Sequence, residues 1–146
     1  MKDNSVLDEV KILHNLVRQR LCSDPQAVSD GKLMSGRGYF LRYLAENDGK
    51  DIFQRDIEKA FKIRRSTVTA TLNRMEENGL IIRSSVEFDS RLKRIKLTPK
   101  GRQMHLSFQN RADSLDKEVS SALTEKERAE FIKIIKKIQS KVENKS

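Results

Sequence analysis

After Asn78-Gly79 the spacing of apolar residues changes from three-and-four to two, and that switch narrows the folds open to this chain more than any other feature. Upstream of it, Val68, Leu72 and Met75 form the inward stripe of a helix that begins near Ser66, whose hydroxyl is placed to cap free backbone N–H groups. Asn78-Gly79 supplies its left-handed stop. Ahead of that helix, the segment Asp51 to Phe61 can set Ile52, Ile57, Ala60 and Phe61 on one face and Arg55, Asp56, Glu58 and Lys59 on the other. Two short helices joined by the brief connector 62–65 make a helix-turn-helix. Downstream, Ile81 to Val86 and Lys93 to Leu97 read as short strands, with Glu87 to Leu92 as a charged turn between them. A helix-turn-helix followed by a hairpin is a winged helix, so the expected class is mainly α with a small β-hairpin.

The flanking segments are helical and short of a core. Val6, Val10, Leu13 and Val17 recur at helical spacing over roughly the first twenty residues, and Pro25 stops that helix. Residues 23–31 are loop by composition. A second helix carries Tyr39, Phe40, Leu41, Tyr43, Leu44 and Ala45 and ends at Asn47-Asp48-Gly49. At its start, Ser35-Gly36-Arg37-Gly38 marks either a late helix start or a close contact, because glycine inside a helix costs up to about 1 kcal/mol relative to alanine. Leu97-Thr98-Pro99-Lys100-Gly101 places Thr at an N-cap and Pro at the first helical position, and the helix it opens carries Met104, Phe108, Ala112, Leu115 and Val119 in one stripe. Thr124-Glu125-Lys126-Glu127 is a capping box before Phe131, Ile134, Ile135, Ile138 and Val142.

Only 36% of residues are apolar and 35% are charged, lean for a monomer but reasonable for helices that share a core with a second copy. We therefore expect one domain over 1–146, with a winged helix-turn-helix lobe at 33–98 and a helical dimerisation region formed by 1–22 and 99–146. The opening residues Met1 to Ser5 contain no apolar run, and the longest aliphatic run anywhere is Leu80-Ile81-Ile82, so the expectation is a cytoplasmic chain with no membrane partner.

Thirty Lys and Arg oppose 21 Asp and Glu, a formal charge of +9, which calls for a polyanionic partner. The charge gathers in the hairpin and its exit, where Arg83, Arg91, Lys93, Arg94, Lys96, Lys100 and Arg102 face only Glu87 and Asp89. With Val68, Leu72 and Met75 inward, Ser66, Thr69, Ala70, Asn73, Arg74 and Glu77 turn outward, because residues three to four apart share a helix face. Hydroxyls, an amide and a guanidinium can read base edges in a major groove, so Ser66, Thr67, Thr69, Asn73 and Arg74 are the base-reading candidates. Arg55, Arg64, Arg65 and Lys93 are placed for phosphates. Asp89-Ser90-Arg91 pairs an acid with a base two residues on: Asp89 holds the backbone or side chain of Arg91 while Arg91 enters a minor groove, or the pair is an ordinary turn with a surface ion pair.

The runs Asp51 to Phe61, Arg64-Arg65-Ser66-Thr67-Val68-Thr69, Glu76 to Ile81, Asp89-Ser90-Arg91 with Lys93, and Leu97 to Gly101 together resemble the MarR family of bacterial transcriptional regulators. The resemblance implies a homodimer whose first and last two helices interleave, bound to double-stranded DNA at a pseudo-palindromic operator and commonly repressing nearby genes. It also implies release by a small effector, an oxidant or a metal acting between the dimer core and the DNA-binding lobe. The family's wing pattern carries over onto Asp89 and Arg91, and its recognition-helix start onto Arg65, Ser66, Thr67 and Thr69. The competing classes are a winged-helix protein-interaction module docking an acidic surface, and a nonspecific nucleic-acid binder.

Other candidate chemistry is thin. Cys22 could be a peroxide-sensing thiol, but it ends the first helix, whereas the organic-hydroperoxide branch of the family has its thiol near the start; a structural cysteine is the plainer reading. His14 and His105 lie on separate helices without metal-ligand spacing, so no metal is expected. Tyr39, Phe40 and Tyr43 either line an effector pocket near the junction between lobes or belong to the core. There is no nucleophile elbow, phosphate-binding glycine loop or paired His-acid constellation, which argues against catalysis and any cofactor.

Overall fold

The computed structural model describes residues 5–21 and 34–143, as six helices and a two-stranded sheet. In chain order these are α1 (Val6–Leu21), α2 (Met34–Glu46), α3 (Gln54–Phe61), α4 (Arg65–Glu77), β1 (Ile81–Val86), β2 (Asp89–Leu97), α5 (Pro99–Ser121) and α6 (Glu125–Glu143). The expected mainly helical winged helix is what forms. Cys22, Pro25 and the loop 23–31 lie outside the described residues. The chain divides after Arg111 into two compact units.

In the first unit, one side of each short element supplies the core. Phe40, Leu41 and Leu44 from α2, Ile57 from α3, Val68, Leu72 and Met75 from α4, and Leu80, Ile81 and Ile95 from the sheet form one buried cluster, with Ile52 beside them. The α4 stripe is the one expected from spacing, with Thr71 buried as well and its hydroxyl donating to the Thr67 carbonyl at 2.9 Å. Gly79 (φ +72°) ends α4, and its N–H and that of Leu80 bond back to the carbonyls of Glu76 and Met75. This is a Schellman closure whose apolar contact joins buried Met75 and Leu80.

Four local expectations change. The segment Asp51 to Phe53 is extended, and helix α3 starts only at Gln54, because Asp56 accepts the Phe53 N–H at 2.8 Å and sets the first turn there. The extended segment meets the sheet, the Ile95 N–H donating to the Ile52 carbonyl at 2.8 Å. Ala60, expected inward, is exposed. Ser66 does not cap α4: the helix begins at Arg65 behind an extended Arg64, and no side chain caps it. The turn expected over 87–92 shrinks to Glu87-Phe88, since β2 already pairs with β1 at Asp89, with an irregular register between Ser85 and Val86.

At the start of α2 the close contact is what the structure contains. Helix α2 runs from Met34 through both glycines, and a Cβ on Gly38 would collide with the Phe108 ring of α5. Tyr39 meets the same ring edge-on at 5.3 Å between centroids. Helix α5 opens as expected, with Thr98 accepting the Gly101 N–H at 3.0 Å. Its first turn lies against the exit of α4: the Thr98 N–H donates to the Leu80 carbonyl at 3.0 Å, and the Thr98 hydroxyl to that of Gly79. Helix α1 is tied to α5 by Arg111, whose Nε donates to the Leu21 carbonyl at 3.0 Å.

In the second unit, α6 opens with the expected capping box, Thr124 and Glu127 exchanging bonds of 2.9 and 3.1 Å. The Thr124 N–H and hydroxyl hold the Glu127 carboxyl below its ordinary value. No residue of α6 is buried within the single chain, and Phe131, Ile134 and Val142 are exposed along it. The same holds for Val6, Leu7, Val10, Leu13 and Leu16 on α1.

Candidate nucleic-acid interface

With the stripe of α4 committed to the core, Ser66, Thr67, Asn73 and Arg74 are exposed on the other side, and Thr69 is half-buried among them. Two neighbours brace this polar face. From α3, the Gln54 Nε2 donates to the Thr69 hydroxyl at 2.7 Å. From β1, the Arg83 guanidinium spans Glu76, with Nε to Oε2 and Nη2 to Oε1 both at 3.1 Å, and Nη2 also donates to Asn73 Oδ1 at 2.7 Å. The hydrogen bonds and charge of Arg83 hold the Glu76 carboxyl below its ordinary value.

Sequence spacing pointed to neither Gln54 nor this role of Arg83. Arg83 was visible only as one cation among several, and its partners lie seven and ten residues away across a turn.

The hairpin presents its own cations. Asp89 Oδ1 accepts the Arg91 backbone N–H at 2.9 Å and lies 3.4 Å from its Nε, so one carboxylate anchors both backbone and side chain. The Arg91 side chain is nonetheless 90% exposed. Lys93 crosses to β1, its Nζ donating to the Ser85 hydroxyl at 2.8 Å. Arg94 turns to the other edge, where Asp51 lies 2.6 Å from its Nε and accepts Nη2 at 3.2 Å.

These elements converge on one open recess of about 320 Å³. Arg55 from α3, Arg65 at the start of α4, and Arg83, Arg91 and Lys93 from the sheet line it, against the single carboxylate of Glu58. Its apolar wall includes Phe53, with the Arg55 guanidinium 5.3 Å from the ring centroid and Phe88 of the turn edge-on at 6.5 Å. The uncapped N-terminus of α4 adds the positive end of the helix dipole at Arg65. Arg64, the residue before the helix, is exposed. A concave surface of this charge suits the passage of a phosphate backbone.

The remaining candidates fall elsewhere. Phe40 is in the core, 5.3 Å from Phe61 between centroids; Tyr43 packs on the core against the same ring at 5.8 Å, and Tyr39 is partly exposed against Phe108. Among the described residues, no group of three or more His, Cys, Asp or Glu side chains could hold a metal ion, and no helix is long and apolar enough to cross a membrane. His14 is exposed on α1 and His105 half-buried on α5.

Residues 37–92, which contain the polar face of α4 and the cations of the recess apart from Lys93, match the family model described as MarR family. The HTH-type transcriptional regulator BilQ of Clostridioides difficile (strain CD3) is 25% identical over 115 residues, 77% of this chain and 76% of that protein. The solved structure of S. aureus MepR in complex with DNA aligns over 95% of this chain and 99% of its own, with a TM-score of 0.83 at 24% identity. The transcription regulator MarR from Oenococcus oeni PSU-1 aligns over 93% and 99%, with a TM-score of 0.75 at 29% identity. The winged helix of this chain thus resembles that of the MarR family, and its fold is shared along nearly its whole length with such a regulator.

Proposed function

We propose that this chain is a sequence-specific, DNA-binding transcriptional repressor that acts as a homodimer on a pseudo-palindromic operator. The observation that carries the reading is the basic recess in which α3, the start of α4 and the hairpin meet beside a polar helix face. In a dimer, two α4 helices enter successive major grooves about 34 Å apart, and the hairpins reach the flanking minor grooves. Ser66, Thr67, Thr69, Asn73 and Arg74 face the bases; Arg55, Arg64, Arg65 and Lys93 neutralise phosphate; and Arg91, anchored by Asp89, senses minor-groove width. The exposed apolar residues of α1 and α6 support the dimer, since a second copy is the simplest cover for two such helices in one chain.

The resemblance extends to release by a small effector. With Phe40 and Tyr43 serving the core, Tyr39 and its partner ring Phe108 are what remains of the aromatic set to meet one. Release requires an effector that binds the DNA-competent and DNA-incompetent arrangements with different affinity.

The test is a titration of the purified protein against its own upstream DNA and a scrambled duplex of equal length, at two salt concentrations. Preference for the native duplex that survives higher salt, with one dimer per site, is expected. Equal affinities that collapse together as salt rises would mean nonspecific binding through charge alone. No binding to either duplex would leave the hairpin as a protein-docking surface.

A further inference from the structure

Asn73 is the amide on the outer face of α4, and its oxygen is already in use. An amide is planar, with the acceptor oxygen and the donor nitrogen on opposite sides of the same carbon. The Arg83 Nη2 at 2.7 Å turns Oδ1 toward β1, and so directs Nδ2 away from it. The bond is charge-assisted, and Glu76 holds the same guanidinium with two further bonds from one helical turn along. Arg83 is committed to this arrangement: its side chain is 22% exposed, against 90% for Arg91.

This matters for which base an asparagine can read. Bidentate recognition of adenine needs Oδ1 to accept from N6 while Nδ2 donates to N7. An asparagine whose oxygen is turned back onto a guanidinium, with one of its two lone pairs engaged there, presents its N–H donors outward, and guanine is the base that presents two acceptors, N7 and O6, in the major groove. Thr69 is held in the same sense. Its oxygen accepts from Gln54, which leaves its O–H available to donate, and Arg74, next to Asn73 in the chain, carries donors only.

We propose that Arg83 is a specificity-determining positioning residue: by occupying Asn73 Oδ1 it makes Asn73 a donor, so that the base pair Asn73 faces is read as G·C with guanine as the acceptor. The proposal rests on α4 being the base-contacting helix, as argued above.

The experiment measures binding of the full-length protein to its operator and to duplexes in which each base pair of a half-site is replaced in turn. Wild type, Asn73→Ala, Arg83→Leu and Glu76→Ala are compared, with folding checked by circular dichroism. Wild type is expected to favour G·C over A·T at one position per half-site by about tenfold. Asn73→Ala flattens that position alone, and Arg83→Leu shifts it toward A·T while preferences elsewhere stay as they were. In the Asn73→Ala background, Arg83→Leu changes nothing further there. Glu76→Ala, which loosens the guanidinium without removing its charge, moves the preference in the same direction by less, and carries the test if Arg83→Leu does not fold. An A·T preference at the position that Asn73→Ala flattens overturns the proposal. So does an Arg83→Leu protein that keeps the wild-type profile or weakens on every duplex alike. Wild-type discrimination that Asn73→Ala leaves intact at every position overturns the proposal, since Asn73 then reads no base, whereas a wild type indifferent to sequence overturns the proposed function itself.

Discussion

Gly101→Ala tests the junction through which the long helix α5 is fastened to the end of α4. A Cβ at Gly101 would press into the Leu80 carbonyl oxygen and come to 3.2 Å from Leu97 Cδ2. The first of these neighbours is backbone, so the helix must back away. That retreat breaks the Thr98 N–H bond to Leu80 and the Thr98 hydroxyl bond to Gly79, each worth about 0.5–1.5 kcal/mol. Overpacking that persists after relaxation adds about 1–3 kcal/mol, and the better helix propensity of alanine returns up to about 1 kcal/mol. The net is a loss of about 1–6 kcal/mol, centred on about 3, or a fall in Tm on the order of 10 °C for a chain of this size. Thermal unfolding followed by circular dichroism at one fixed protein concentration measures it, since association would otherwise shift the midpoint. Gly49→Ala is the control, because Gly49 has a positive φ of 87° but nothing within 4 Å of its Cβ, so it carries conformational strain without collision. If Gly101→Ala melts at or above wild type, α5 is not seated on the Leu80 carbonyl and the junction described here is wrong.

Arg91→Ala should leave Tm unchanged, because its bond to Asp89 is a surface pair with the guanidinium 90% exposed, yet weaken operator binding; an unchanged affinity removes the hairpin from the interface. If Arg91 also displaces counterions, the log–log salt slope falls by about one per half-site in the same titration. Gly79→Ala places a side chain at φ +72° and should cost about 1 kcal/mol, with Gly79→Asn costing less because asparagine tolerates that region; equal stabilities of the three proteins would contradict the Schellman closure. Acid should also expose the Arg83 clamp. The Glu76 carboxyl in the folded chain lies below its ordinary value of 4.5, so its contribution is present above that value and is lost as pH falls through the lower, folded one. Stability should therefore decline with acidification below about pH 4.5 less steeply in Glu76→Gln than in wild type, and parallel curves would show that the ion pair adds nothing.

Features that depend on neighbours along the chain were legible without coordinates. The change of period after Gly79, the Thr98-Pro99 helix start and the Thr124 capping box each rest on bonds within a few residues, and each stands where spacing put it. The start of α4 was not, because a serine near a helix start suggests a cap, whereas here the extended Arg64 takes that position and leaves Ser66 in the first turn. Tyr39, Phe40 and Tyr43 were ambiguous for a different reason. An aromatic at helical spacing looks the same whether it lines a cavity or fills a core, and only Phe61, about twenty residues away, decides it for Phe40 and Tyr43. The braces on the reading face were out of reach of any local pattern, since Gln54 meets Thr69 across the connector between α3 and α4, and Arg83 reaches Asn73 back across the Gly79 turn.

Those long-range bonds also decide how such a lobe can respond to a signal. Arg83 ties β1 to α4, Arg94 and the Ile95 N–H tie β2 to the segment before α3, and Gln54 ties α3 to α4. Displacing the hairpin alone would break a charged pair on each side of the sheet, so these bonds favour joint movement of the hairpin and α4. Thr98 bonds α5 to the two carbonyls at which α4 hands over to β1, Gly79 and Leu80. A shift in α5 would therefore be delivered at the foot of α4, where a small rotation turns the whole polar face of that helix together. If the proposed release by an effector holds, the effector would change the placement of an intact lobe and leave its contacts in order, its energy being needed only as the difference between two placements.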